Sequence, residues 1–250
     1  MKALILAAGQ GTRIRSAHGE HPKCLIAFND SEWTILDQQI HSLFVVGVTE
    51  IGIVVGYEKY QIVRHIMRAY RGSLHRFKFI ENPRYAQTNN IYSMWLAREW
   101  LRGDSFIALN ADVAFHSAVL PLAIDCEASI TMIVDRAWRD ETMKVVIKGN
   151  RILNMGKHIT EEEYSATYIG VTIFRESIAD LFFEKIDRLI WDGTQNVFFN
   201  AGVQQLIADG VRVGYADVGH LAWAEIDDPA DLGFARSHIF PKLAGAEAAA

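Results

Sequence analysis

Two groups of residues in this 250-residue chain carry chemistry by their type and spacing. The first is Leu6-Ala7-Ala8-Gly9-Gln10-Gly11-Thr12-Arg13, with Pro22-Lys23 shortly after it. Small residues at 7–9 and 11 let a backbone approach a ligand closely and leave N–H groups free to donate. Arg13 adds a planar cation matched to phosphate oxygens, and Lys23 a second, point-like one. The run is not a Walker loop, which ends in Gly-Lys-Ser/Thr. It is not the dinucleotide fingerprint either, because Ile14 stands where the third glycine belongs. The second group is Asp112 and Asp227, distant in sequence but each placed just after an apolar strand-like run. Alone, each aspartate reads as a strand-end turn residue. Converging on one point beside a phosphate-cradling loop, the two fit a hard cation such as Mg²⁺, which takes one or two carboxylates and leaves its other positions to phosphate and water. Asp228 and Asp231 suit a helix N-terminus. Glu225 is expected off the Asp227 side of a regular strand, flanking the site otherwise.

A third, less specific set runs from Asn82 through Thr88, Asn89 and Asn90. Asparagine offers a donor and an acceptor to a nucleobase edge, but Thr88 or Asn89 also suits a helix N-cap. Lys144 and Lys157 flank a hairpin-like stretch, as substrate contacts or as solvated cations. Trp95, Trp138, Trp191, Tyr168, Phe198 and Phe199 read as core aromatics or as a cage for a quaternary ammonium. His18 and His21 share a loop without a third ligand, which argues against zinc. No Gly-x-Ser-x-Gly occurs, so no nucleophile elbow is expected.

The elements that must position these residues alternate. Apolar runs at 2–7, 50–55, 77–80 and 105–109 read as strands. Helical spacing over 33–47, 59–70 and 90–102 lies between them. That order implies parallel pairing through helical crossovers. The second half reads as strands at 128–134, 143–147, 166–174, 211–217 and 222–226, with helices at 177–189, 195–208 and 229–237. Ligands of such sheets sit beyond the carboxyl ends of the strands, where Gly9, Asn82 and Asp112 fall.

Composition bounds the rest. Half of the residues are apolar, enough for a large core, and 22% are charged. Twenty-five Lys and Arg against 30 Asp and Glu give a net charge of −5, which argues against a nucleic-acid partner. No run approaches a membrane span. Two cysteines exclude a disulfide framework and suit a reducing cytoplasm. The expectation is one α/β domain over 1–240 with a flexible tail over 241–250. An apolar face left exposed on the last helices would make a homodimer.

Leu6–Arg13 with Pro22-Lys23 resembles the signature of the sugar-phosphate nucleotidylyltransferase family. Trp223-Ala224-Glu225-Ile226-Asp227-Asp228-Pro229-Ala230-Asp231-Leu232 is similar to that family's second aspartate motif. The resemblance implies a three-layer Rossmann-like fold with a mixed, mainly parallel twisted sheet. It implies that Leu6, Ala8, Gly9, Gly11, Thr12, Arg13 and Lys23 wrap a nucleoside triphosphate, joined by Asn82, Thr88 and Asn89. It also implies that Asp112 and Asp227 hold Mg²⁺, and that Asn90, Lys144, Lys157 and Tyr168 meet a phosphorylated acceptor. Arg13, Lys23, Asp112 and Lys157 would then carry catalysis. Asn-Asn-Ile-Tyr-Ser-Met at 89–94 is similar to the phosphocholine cytidylyltransferase-like branch, which points to CTP. Two departures stand out: Ile14-Arg15-Ser16 replaces the family's Leu-x-Pro, and Asn200 stands where relatives often place an acid. A sugar-1-phosphate nucleotidylyltransferase using another triphosphate is the alternative. A binding-only subunit is disfavoured by the intact charged set. A glycosyltransferase would show Asp-x-Asp, where this chain has Asn110 in the first place.

Overall fold

The computed structural model describes residues 1–28, 32–139 and 142–247. Its strands are β1 Lys2–Ala7, β2 Glu50–Val55, β3 Phe77–Glu81, β4 Phe106–Asn110, β5 Val113–Phe115, β6 Ile130–Asp135, β7 Lys144–Lys148, β8 Arg151–Gly156, β9 Ala166–Phe174, β10 Val213–Asp217 and β11 Trp223–Glu225. Nine of them form one sheet in the order β3-β2-β1-β4-β9-β6-β10-β8-β7. β3, β2, β1 and β4 run parallel, as do β6 and β10, while β9 and β8 run against their neighbours. The sheet is therefore mixed and mainly parallel.

Strand β1 shows why the sheet is a middle layer. Ala3, Ile5 and Ala7 join one buried cluster, with Leu36, Ile40 and Leu43 of helix Ile35–Val45 and Ile62 and Ile66 of helix Lys59–Ala69. Leu4 and Leu6 point the other way, to Ile91 and Met94 of helix Asn90–Leu96, Phe182 and Ile186 of helix Glu176–Trp191, and Val203 and Leu206 of helix Asn200–Ala208. A strand covered on both faces is apolar at every position, which is why it reads as a continuous run. The result is the expected three-layer α/β architecture.

Local differences from the sequence reading have physical causes. The helix expected over 90–102 is divided at Ala97 into Asn90–Leu96 and Arg98–Leu101. The helix expected from 195 begins at Asn200. Strand β5 and helix Val119–Ile124 have no counterpart in the sequence reading, while β8 is the second arm of the expected hairpin with β7. The run at 222–226 is not in the main sheet: β11 pairs antiparallel with β5 as a separate two-stranded unit. The expected tail begins inside helix Phe240–Glu247, where Phe240 and Leu243 are buried against Ile14, Ile26 and Ile226. Residues 248–250 lie outside those described. No helix among the described residues is long and apolar enough to cross a membrane.

One buried carboxylate ties two helices together. Asp37 closes a capping box with Thr34, accepting from Thr34 N at 2.9 Å and Thr34 Oγ1 at 2.7 Å. It also meets His65 Nε2 at 2.8 Å and accepts from Tyr70 Oη at 2.9 Å. Burial pushes its pKa up, but the bonds from His65 and Thr34 outweigh that and hold the carboxyl below its ordinary range. Asp37→Ala is expected to cost about 3 kcal/mol in urea unfolding, because it orphans several buried donors at once. The stabilisation is fully present above the unfolded carboxyl value near 4 and is lost as pH falls through the lower folded value. The stability gap between the parent protein and Asp37→Ala should therefore narrow below about pH 4. A gap independent of pH would show that the carboxylate's charge is not what Asp37 contributes.

Candidate active site

A cleft of about 540 Å³ opens beyond the carboxyl ends of β1, β3 and β4. Leu6, Ala8, Gly9 and Arg13 line one side, with Asn82, Thr88, Asn89, Asn90, Asp112, Lys157, Tyr168 and Asp227 around it. An adjoining recess of about 100 Å³ shares Leu6, Gly9 and Asp112 and adds Gly11 and Lys23. The glycine loop turns at Gly11, whose φ of +57° suits glycine, and a Cβ there would lie 3.0 Å from Lys23 Cγ. Thr12 opens the one-turn helix Thr12–Ile14, is exposed, and lines neither space.

The two aspartates are brought together by the small β5–β11 unit. Val113 pairs with Glu225, and Ile226 N donates to Asp112 O at 3.0 Å, so the residues just outside each strand end become neighbours. Both carboxylates then meet one ammonium. Lys23 Nζ lies 3.4 Å from Asp112 Oδ2 and donates closely to Asp227 Oδ1. Arg13 Nη2 lies 2.8 Å from the other Asp227 oxygen. Four side chains separated by up to 214 positions in the sequence thus form one charged knot.

The electrostatics follow from that packing. Burial pushes Asp112 up, Lys23 opposes this, and Asp227 adds to it; the net direction is up. Burial also pushes Asp227 up, but Lys23 and Arg13 outweigh it and hold this carboxyl low. For Lys23 burial pulls down, yet the two carboxylates hold the ammonium above its ordinary value. Glu225 is pushed up to about 8, by burial first and then by Asp112 and Asp227. It lines the same cleft as Asp227, the flanking alternative of the sequence reading, because Asp227 lies beyond the end of β11 and strand alternation does not reach it.

A hard divalent cation fits this donor set. Two carboxylates already converge on a single positive charge, and oxygen is the ligand such ions take. Among the described residues no cluster of three or more His, Cys, Asp and Glu side chains makes a full cage. The fit is therefore to an ion that completes its shell with phosphate and water.

Other predicted positions divide. Lys157 lines the cleft with its ammonium 5.5 Å from the Phe198 ring. Tyr168 is buried, and its hydroxyl lies 2.8 Å from Thr172 Oγ1. Asn89 caps helix Asn90–Leu96 through Asn90 N at 2.8 Å, and Asn90 Oδ1 accepts from Phe199 N at 2.8 Å. Asn82 is spent internally: it donates to Ser93 Oγ at 3.1 Å and accepts from Arg84 N at 2.9 Å. Lys144 is not brought to the cleft. It is buried at the start of β7, with its ammonium 4.7 Å from the Trp138 ring, because the register against β9 turns it that way.

Sequence reasoning missed two glutamines that brace the turn carrying Asp112. Gln39 Nε2 donates to Asn110 O and Val113 O, both at 2.8 Å, and so clips the turn that carries Asp112 from both sides. Gln38 accepts from Phe115 N at 3.2 Å and donates to Phe115 O, standing in for a strand partner. Both are fully buried on helix Ile35–Val45. Polar residues on the buried face of an amphipathic helix were the available signal.

Comparison with known proteins agrees with this geometry. Residues 3–166 match the MobA-like NTP transferase domain. The chain is 26% identical over 259 residues to CTP:phosphoglutamine cytidylyltransferase of Campylobacter jejuni, covering 93% of this chain and 98% of that protein. It is 38% identical over 101 residues to choline-phosphate cytidylyltransferase of Streptococcus pneumoniae, covering 40% and 41%. The solved inositol-1-phosphate CTP transferase of T. maritima shares the fold, with a TM-score of 0.80 at 24% identity over 97% of this chain and 95% of that one. A glycine loop, a pair of converging aspartates and a full-length match to known nucleotidyltransferases lead to one statement: the chain belongs to the MobA-like NTP transferase family and is a nucleotidyltransferase.

Proposed function

We propose that the protein is a Mg²⁺-dependent cytidylyltransferase that joins CTP to a small phosphorylated acceptor and releases pyrophosphate. The observation that carries this is the convergence of Asp112 and Asp227 on one cation at the edge of a cleft shared by the glycine loop and Lys157. The choice of CTP is supported by the similar cytidylyltransferases. The acceptor class is a phosphorylated alcohol, a phosphonate, phosphocholine or a sugar phosphate, giving a CDP- or CMP-linked product.

An oxygen of the acceptor's phosphate attacks the α-phosphorus of CTP, and the bond to the β-phosphate oxygen breaks. The acceptor phosphate is already ionised at neutral pH, so no protein base is needed to remove a proton. Catalysis then rests on positioning and on charge neutralisation. The glycine loop offers backbone donors to the triphosphate, Arg13 and Lys23 meet its charge, and Lys157 aligns the acceptor phosphate. A divalent ion held by Asp112 and Asp227 supplies neutralisation at the reacting phosphate.

Pyrophosphate release measured with each nucleoside triphosphate against phosphocholine, O-phosphoethanolamine, 2-aminoethylphosphonate, inositol 1-phosphate and glucose 1-phosphate tests this reading. Turnover confined to CTP supports it. A preference for another triphosphate with a sugar phosphate overturns the CTP assignment, and the absence of any turnover removes the reaction.

The brace gives a second check. Gln39→Met keeps the side-chain volume but removes both bonds to the Asp112 turn. It should lower kcat by about 10- to 100-fold, the scale of an ångström-level misplacement, with a smaller change in KM for CTP. Unchanged kcat would show that the turn holds its shape without Gln39.

A further inference from the structure

Two adjacent aromatics beside the cleft have different fates. Phe199 is fully buried and joins the core cluster that holds Phe174 and Phe182. Phe198 stays 36% exposed and lines the cleft. The backbone that carries its ring is pinned on both sides. Segment 195–199 lies along the start of helix Asn90–Leu96: Gln195 O accepts from Asn89 N at 3.0 Å, and Val197 O accepts from Ile91 N at 3.3 Å. Asn90 Oδ1 accepts from Phe199 N at 2.8 Å, and Phe198 O accepts from Ala201 N at 3.0 Å. The ring therefore stands on a fixed base at the cleft wall.

Lys157 is the opposite kind of group. It follows Gly156, the last residue of β8, and is exposed on a long, rotatable stem. Confining such a stem costs rotamer entropy, and a group left unconfined must meet that cost each time a ligand binds. Its ammonium lies 5.5 Å from the Phe198 ring centroid, within the range at which the face of a ring attracts a cation. The manner of holding matters as much as the place. Asp227 holds Arg13 and Lys23 by opposite charge. An aromatic face carries no net charge, so it can locate an ammonium without neutralising it and leave that charge for an incoming phosphate.

We propose that Phe198 is a positioning residue: its ring seats the Lys157 ammonium where the acceptor's phosphate arrives, and the bond from Phe199 N to Asn90 fixes the backbone under that ring. This rests on the role of Lys157 given under Proposed function. It deepens that role by naming what sets the cation in place.

Nuclear magnetic resonance of the protein labelled with ¹³C-lysine tests it, because the Cε–Hε signal of Lys157 reports the seat directly. Loss of one signal in Lys157→Arg identifies it. The ring current of Phe198 is expected to shift that signal upfield. Phe198→Leu should return it to the position of a solvated lysine, and Phe198→Tyr should leave it shifted. Inorganic phosphate is then titrated with the unreactive α,β-methylene analogue of CTP present, and the same signal is followed. Phe198→Leu should weaken phosphate about 5- to 10-fold, and Phe198→Tyr should stay within about twofold of the parent protein. An unshifted Lys157 signal in the parent protein, parent-like phosphate affinity in Phe198→Leu, or equal weakening in the Leu and Tyr variants each overturns the proposal while leaving the role of Lys157 intact. A ring-shifted signal that phosphate never moves overturns both, since it removes Lys157 from the acceptor phosphate.

Discussion

Asp112→Asn should reduce pyrophosphate release by about 10³-fold or more while leaving the protein folded. The substitution preserves shape and removes only the charge. In the structure that charge is held at a cost, since burial and the neighbouring Asp227 both push the Asp112 carboxyl up. A neutral amide there removes like-charge repulsion, so the thermal midpoint should stay level or rise. Loss of activity together with retained stability is the signature of a charge kept for chemistry. If turnover survives within about tenfold, Asp112 does not hold the reacting phosphate's counter-ion.

Lys23→Met is the second large effect, and it has the opposite stability signature. The ammonium stands between two carboxylates and is held in its charged form by them. Without it, the two carboxylates Asp112 and Asp227 repel each other, and Arg13 pairs with Asp227. Breaking such a buried contact from one side should cost about 3 kcal/mol and lower turnover by about 10²- to 10³-fold. Millimolar Mg²⁺ should return much of the lost stability, because a divalent ion can take the place between the carboxylates. The midpoint of Lys23→Met should therefore rise with Mg²⁺ more than that of the parent protein. Equal responses in the two proteins would separate the carboxylate pair from divalent-ion binding.

The parts of the site legible in the sequence are those written in local chemistry. The small residues of 7–9, the turn at Gly11, and the Arg and Pro-Lys that follow are a contiguous signal, and they do form the cleft's wall together with the adjoining recess. Asp112 and Asp227 were legible because each ends an apolar run. Their meeting was not, since it depends on the three-residue strands β5 and β11, too short to show a period. Lys144 and Lys157 look alike in sequence as cations beside a hairpin. The register of β7 against β9 buries Lys144 with its ammonium over Trp138, while Lys157, just past the end of β8, reaches the cleft. Gln38 and Gln39 act through bonds to residues more than 70 positions away, which no local pattern encodes. The split at Ala97 and the capping role of Asn89 are of the same kind, as neighbours in space decide them.

The proposed reaction requires a divalent ion that Asp112 and Asp227 would hold together with the triphosphate. Electron paramagnetic resonance of Mn²⁺ titrated into the protein with the α,β-methylene CTP analogue measures it directly. One tight Mn²⁺ site per chain is expected, weakened at least about tenfold by Asp112→Asn and equally by Asp227→Asn. Parent-like Mn²⁺ affinity in both variants would contradict it.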